Sequence, residues 1–207
     1  MDFNDLIFHI NTRAKENNIK LLLEKSKSIF YPNSNLIVNG YFDIKTMALA
    51  VAIDKPLSDW IMLFAHESSH MDQWIENTKY WSRERSNNSL TEVWKLLKKE
   101  KVTNLKFHLR NVQMMEAECE KMSIQKIIDY DLGIDVKKYA MKANSYLLFY
   151  SILKETNKWS DYPPYKFKDI WQNMSIEILN KFEIDEGMKQ LYFDKCYKKR
   201  TKKIIFN

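Results

Sequence analysis

The chain has 207 residues, 45% of them hydrophobic and 14% aromatic, enough apolar material for one packed domain and too much for a disordered chain. Its formal net charge of +6 is uneven: residues 195–203 read KCYKKRTKK, and with no nucleic-acid motif there the basic tail (195–207) is expected to be a solvated terminus, with nucleic acid an unlikely partner on composition alone. The start MDFNDLIFHI lacks a basic leader, the longest apolar run (47–53) is seven residues, and Cys119 and Cys196 follow no metal-ligand spacing, which disfavours a secreted or membrane-embedded protein and points to a cytoplasmic one with free thiols.

Only three glycines and four prolines occur, so helix is the expected main content. Residues 2–30 are predicted to be helical, with Leu6, Ile10, Leu21, Leu22 and Ile29 apolar, and 31–35 (YPNSN) to turn. Leu36-Ile37-Val38 is predicted as a strand, Asn39-Gly40 as a tight turn and 46–53 as a second strand, an edge strand able to receive an extended peptide. A strongly apolar helix over 57–75 follows, with Pro56 at its entrance and Asp54 or Ser58 as its cap. Residues 77–103 are expected to form a linker and a Lys-rich helix with Trp94 and Leu97 inward. Helices are then predicted over 104–131, 136–156 and 167–182, with a loop at 159–165. The expected fold is α+β, mainly α-helical, with a small sheet before the helix at 57–75, in one domain (1–207, core about 35–180).

That helix carries His66-Glu67-Ser68-Ser69-His70, an H-E-x-x-H pattern. Residues four apart share a helix face, so both imidazoles can reach one tetrahedral Zn²⁺ while Glu67 is placed to act as general base on water. His66, Glu67, His70 and Asp72 are all costly to desolvate among apolar neighbours, and a metal is an economical partner for paired imidazoles. The remaining histidines, His9 and His108, have no such spacing.

A catalytic zinc site needs a third ligand. The helix over 104–131 has an apolar stripe at Leu105, Leu109, Val112, Met115, Cys119 and Met122, and three acids: Glu116, Glu118 and Glu120. Glu116 and Glu120 lie one turn apart beside the stripe, whereas Glu118 lies about half a turn away and is expected to face water. Glu116 is therefore the expected ligand and Glu120 the acceptor for a ligand histidine N–H, with the exchanged roles as the alternative. On the helix at 136–156, Tyr146 and Tyr150 are candidate oxyanion stabilisers, aromatic core packing being the other reading of both and of Asn144.

HESSH followed by Glu116-Ala117-Glu118-Cys119-Glu120 resembles the zincin metallopeptidases in their glutamate-ligand, gluzincin branch. A nearer resemblance is to small uncharacterised metallopeptidase-like proteins of phage and prophage, which carry H-E-x-x-H, E-x-x-C-E and a helix like Ala143-Asn144-Ser145-Tyr146-Leu147-Leu148-Phe149-Tyr150; it spans about residues 35–180. Position 120 is Glu where the larger peptidases commonly have Asp, and the gap from His70 to Glu116 is longer than in many of them. The resemblance implies a zincin-like fold and a peptide or protein substrate; the residues by themselves point to metal-assisted hydrolysis. Other readings are a non-catalytic binding protein on a zincin scaffold and, from the tail alone, a nucleic-acid-binding accessory protein.

Overall fold

A computed structural model describes residues 2–197; the expectation of a solvated tail falls largely on 198–207, outside the described residues. The order of elements is α1 (Phe3–Glu16), β1 (Lys20–Glu24), β2 (Ile29–Phe30), β3 (Ile37–Val38), β4 (Gly40–Asp43), β5 (Ala48–Ala52), α2 (Leu57–Glu76), α3 (Lys79–Asn87), α4 (Ser89–Leu97), α5 (Leu105–Asp129), α6 (Val136–Thr156), a 3-10 turn (Pro164–Lys166), α7 (Lys168–Trp171) and α8 (Glu186–Cys196). The architecture is α+β and mostly helical.

The first thirty residues are not one helix. Asp2 and Asp5 start α1 with a reciprocal capping box, but Asn18 takes a left-handed conformation (φ 57°). Asparagine tolerates that conformation and breaks the helix there. Leu21, Leu22 and Ile29 therefore fall in strands. β1 pairs parallel with β5, β5 pairs antiparallel with β4, and β2 and β3 form a separate ribbon. The strand leading into α2 is thus central and not the expected edge, with all five residues of β5 buried, and the edges are β1 and β4. Asn39-Gly40 is not a tight turn either, since Gly40 opens β4. The β4–β5 turn is closed by Asp43, which accepts from Thr46 N at 2.9 Å and Thr46 Oγ1 at 2.7 Å.

α2 enters through Pro56 with no side-chain cap, so neither Asp54 nor Ser58 serves as one. Its one face packs with α1 and the sheet around Leu6, Ile10, Leu49, Phe64 and Met71. Its other face meets α5. Asp72 points away from the histidines into a clamp: Arg13 Nε lies 2.7 Å from Asp72 Oδ1 and Lys126 Nζ 2.7 Å from Asp72 Oδ2. Lys126 also reaches Ser69 Oγ at 2.8 Å and Ser68 Oγ at 3.1 Å, so the two variable positions of the motif lock α2 to α5. Burial pulls the Lys126 ammonium below its ordinary value, with Asp72 opposing.

A second core surrounds α5 and α6, built from Leu109, Val112, Leu147, Phe149, Leu153, Ile170 and Tyr192 among others. In α4, Val93 and Leu96 are buried and Leu97, as expected, packs partly buried against the core, whereas Trp94 is exposed and stacks on Trp159. Helix is limited to α7 in the region 167–182. Asn144 captures the segment after it, donating to Ser175 O at 2.9 Å and Glu177 O at 2.8 Å and accepting from Leu179 N at 3.0 Å. Those backbone groups are consequently unavailable to a helix. No helix among the described residues is long and apolar enough to cross a membrane.

Candidate metal centre

α2 and α5 cross where His66, Glu67 and His70 face Glu116, Cys119 and Glu120. His66 Nε2 lies 3.8 Å from Glu116 Oε2, and His70 Nε2 lies 3.5 Å from the same oxygen. The opposite ring nitrogens are held from behind. His66 Nδ1 is 3.2 Å from Glu120 Oε1, and the other Glu120 oxygen accepts from the Tyr139 hydroxyl of α6 at 2.6 Å. His70 Nδ1 meets Gln73 Oε1 at 2.8 Å. A metal-ligand imidazole is ordinarily held in this way through its second nitrogen, which leaves the first with a bare lone pair.

The two distances around Glu116 Oε2 are near those in a small tetrahedral site. Donors ~2.0–2.1 Å from the ion in such a site lie ~3.4 Å from one another, close to the 3.5 and 3.8 Å separations around Glu116 Oε2. The charge balance points the same way. Glu67, Glu116 and Glu120 are all buried, and among the described residues only the two histidines form ion pairs with Glu116 and Glu120. Buried carboxylates need compensating positive charge, and a divalent cation supplies it.

Cys119 adds a second possible donor. Ligand atoms of His66, His70 and Cys119 all lie within 4.8 Å of one another. Sequence spacing gave no hint of this, because Cys119 pairs with no other cysteine; its position three residues after Glu116 is the signal that was available. Its Sγ sits 3.6 Å from His66 Nδ1 and donates to His66 O at 3.3 Å.

Burial would lower both imidazoles, but Cys119 and then Glu120 for His66, and Cys119 and then Glu116 for His70, push them well above the ordinary value. Burial would raise Glu116 and Cys119, and the imidazoles override it, lowering both. For Glu67 burial prevails over the histidines, and its pKa is raised.

β4 fixes Glu67. A Cβ on Gly40 would stand 2.9 Å from Glu67 Cγ, 3.2 Å from Glu67 Oε1 and 3.0 Å from Ala50 O. Among the described glycines only Gly133 has positive φ, so Gly40 is required by this close approach and not by its backbone conformation.

Glu118 is corrected by the structure: it is partly buried and accepts from Gln73 Nε2 at 2.8 Å and Thr78 Oγ1 at 2.5 Å. Half a turn around α5 from the buried stripe is not solvent, because α2, α3, α4 and α6 all pack on it. Tyr146 is partly buried, and burial followed by the charge of Glu116 raises its hydroxyl's pKa; Tyr150 lies behind it, 3% exposed. Tyr165, left in a loop by the sequence, stands near them with its ring 6.4 Å from Tyr146; the charge of His66 opposes the upward push of burial on its hydroxyl. From α3, the Trp81 ring lies 6.2 Å from that of His70. His108 bonds Ser89 at 3.1 Å and His9 packs near Tyr130, neither at the centre. Gln73 and Tyr139 were not singled out by sequence. Gln73 could have been, as a polar residue one turn beyond His70 on a buried face; Tyr139 depends on how α6 crosses α5 and has no local signal.

Comparison of the chain with protein-family models, with curated proteins and with solved structures finds no match.

Proposed function

We propose that the protein is a zinc-dependent hydrolase of peptide bonds, with His66, His70 and Glu116 as the ligands and Glu67 as the general base. The observation that carries this reading is the convergence of His66 Nε2 and His70 Nε2 on Glu116 Oε2, at 3.8 and 3.5 Å, while each Nδ1 is engaged elsewhere. An N₂O donor set suits zinc. Cys119 lies 3.6 Å from His66 Nδ1, the ring nitrogen that also faces Glu120, whereas Glu116 stands beside both Nε2 atoms and is taken as the third donor.

A bound zinc ion supplies a Lewis acid that polarises a carbonyl and lowers the pKa of water. Glu67 then accepts the proton of the water attacking the carbonyl carbon and delivers it to the leaving amine nitrogen. Glu67 is buried beside both histidines, within reach of a water at the proposed metal position without being a ligand itself. Tyr146 and Tyr165 are the nearest hydroxyl candidates for the developing oxyanion. The peptide as substrate is supported by β4, which lies on the edge of its sheet beside Glu67, where an extended chain can add by backbone hydrogen bonds. Glu67 itself favours an enzyme over a zincin-like binding scaffold, which would have no use for a buried base.

The test combines elemental analysis with turnover on a proteome-derived peptide library. Native protein and Cys119→Ser should carry one zinc per chain, and Glu116→Ala should lose it. Glu67→Gln should retain zinc while hydrolysis falls ~10²–10⁴-fold. Equal hydrolysis by Glu67→Gln would refute the mechanism, and zinc loss in Cys119→Ser with retention in Glu116→Ala would move the third ligand to Cys119.

A further inference from the structure

Gln73 is wholly buried on α2, one turn beyond His70. Its carboxamide meets three groups: Met115 O at 2.9 Å, Glu118 Oε2 at 2.8 Å and His70 Nδ1 at 2.8 Å. A main-chain carbonyl and a carboxylate can only accept, so the amide NH₂ must face both. Its oxygen is left for His70, and the hydrogen between them can come only from the ring. Glu118 takes a further hydrogen bond from Thr78. Thr78 occupies the N-cap position of α3, where a threonine hydroxyl ordinarily accepts from the helix, yet it makes no capping bond. That hydroxyl is turned to Glu118 instead.

We infer that Gln73 and Glu118 are positioning residues that lock His70 as its Nδ1–H tautomer, so that the Nε2 lone pair is aimed at the metal position beside Glu116. The inference rests on the metal-site reading above and extends it beyond the motif. Each hydrogen in the relay has one possible direction: Thr78 to Glu118, Gln73 to Glu118, His70 to Gln73. The two imidazoles are thus held by different chemistry. His66 leans on the carboxylate of Glu120, itself bonded by Tyr139. His70 leans on a neutral amide, and the carboxylate stands one group further away.

Zinc affinity of the full chain, measured by competition with a chromophoric chelator, tests the relay. Gln73→Leu removes the acceptor and should weaken zinc ~10–100-fold. Gln73→Glu keeps an acceptor for His70 but sets two carboxylates against each other, and should also weaken it. The exchange Gln73→Glu with Glu118→Gln restores complementarity, since the amide at 118 donates to the carboxylate at 73, and should recover most of the loss. A role in packing alone predicts no such recovery. Unchanged affinity in both single variants, or an exchange no better than Gln73→Glu, would overturn the inference. A second arm needs neither variants nor zinc: ¹H–¹⁵N spectra of metal-free protein at alkaline pH, where the ring is neutral, should show His70 protonated at Nδ1. The Nε2–H form would overturn the inference with the metal reading intact, whereas native protein that binds no zinc but shows the Nδ1–H form would overturn the metal reading and leave the tautomer lock.

Discussion

The space beside Glu67 is set by one absent methyl group. Because Gly40 has an ordinary β conformation, Gly40→Ala adds no backbone strain, and the new Cβ must be accommodated by Glu67 or by the main chain of Ala50. The side chain is the softer of the two, so the carboxylate should move. A misplacement of about 1 Å in a reacting group costs roughly 100-fold in rate. We therefore expect Gly40→Ala to keep its zinc and lose turnover on that scale; full activity with zinc bound would mean that the strand does not hold Glu67. At this scale the sequence was informative where chemistry follows spacing. His66, Glu67 and His70 were legible from H-E-x-x-H, and Glu116 and Glu120 from their place beside an apolar stripe. Glu118 was misread, and Cys119 passed over, because their surroundings depend on chain segments far away in sequence.

Among the elements, α5 contributes most to the centre, bearing Glu116, Glu118, Cys119 and Glu120 and, two turns on, the Lys126 clamp. Its extent and that of α6 were readable because long apolar periodicity without Gly or Pro leaves a helix little alternative. The segment 167–182 was not, because its conformation is imposed by Asn144 on another helix. Asn144→Ala would strand three backbone groups, each costing about 1–3 kcal/mol if left buried and unpaired. With partial relaxation to water, we expect a loss of about 3 kcal/mol in urea unfolding. Asn144→Asp keeps an acceptor for Leu179 but neither donor, and should be destabilised nearly as much. A loss below about 0.5 kcal/mol would mean the segment is held by its apolar contacts and not by this side chain.

For the molecule as a whole, zinc held as proposed would compete with protons for one set of atoms. Without metal, the fold raises His66 and His70 well above the ordinary value of 6.5, against the opposing pull of burial. A group raised by folding contributes stability that is present below its unfolded value and lost as pH rises through its folded value. The metal-free fold should thus lose the imidazoles' contribution as the solution becomes alkaline, while zinc, no longer displacing protons, binds better. The difference in Tm between zinc-loaded and metal-free protein should widen from mildly acidic to mildly alkaline pH. Calorimetric titration in buffers of different ionisation heat should register protons released as zinc enters near neutrality. A difference in Tm that is flat with pH, or no proton release, would contradict this.

Trp81 gives the centre an optical signature. Its indole stands 6.2 Å from the His70 ring, well inside the range over which a coloured or paramagnetic ion drains an excited state. Zinc is spectroscopically silent, but cobalt seated between α2 and α5 should dim the light from this one indole far more than that from more distant tryptophans, and zinc added afterwards, which binds such sites more tightly than cobalt, should bring it back. Trp81→Phe should abolish most of the change while leaving the remaining emission in place. The molecule would therefore report its own occupancy in dilute solution, with no substrate needed.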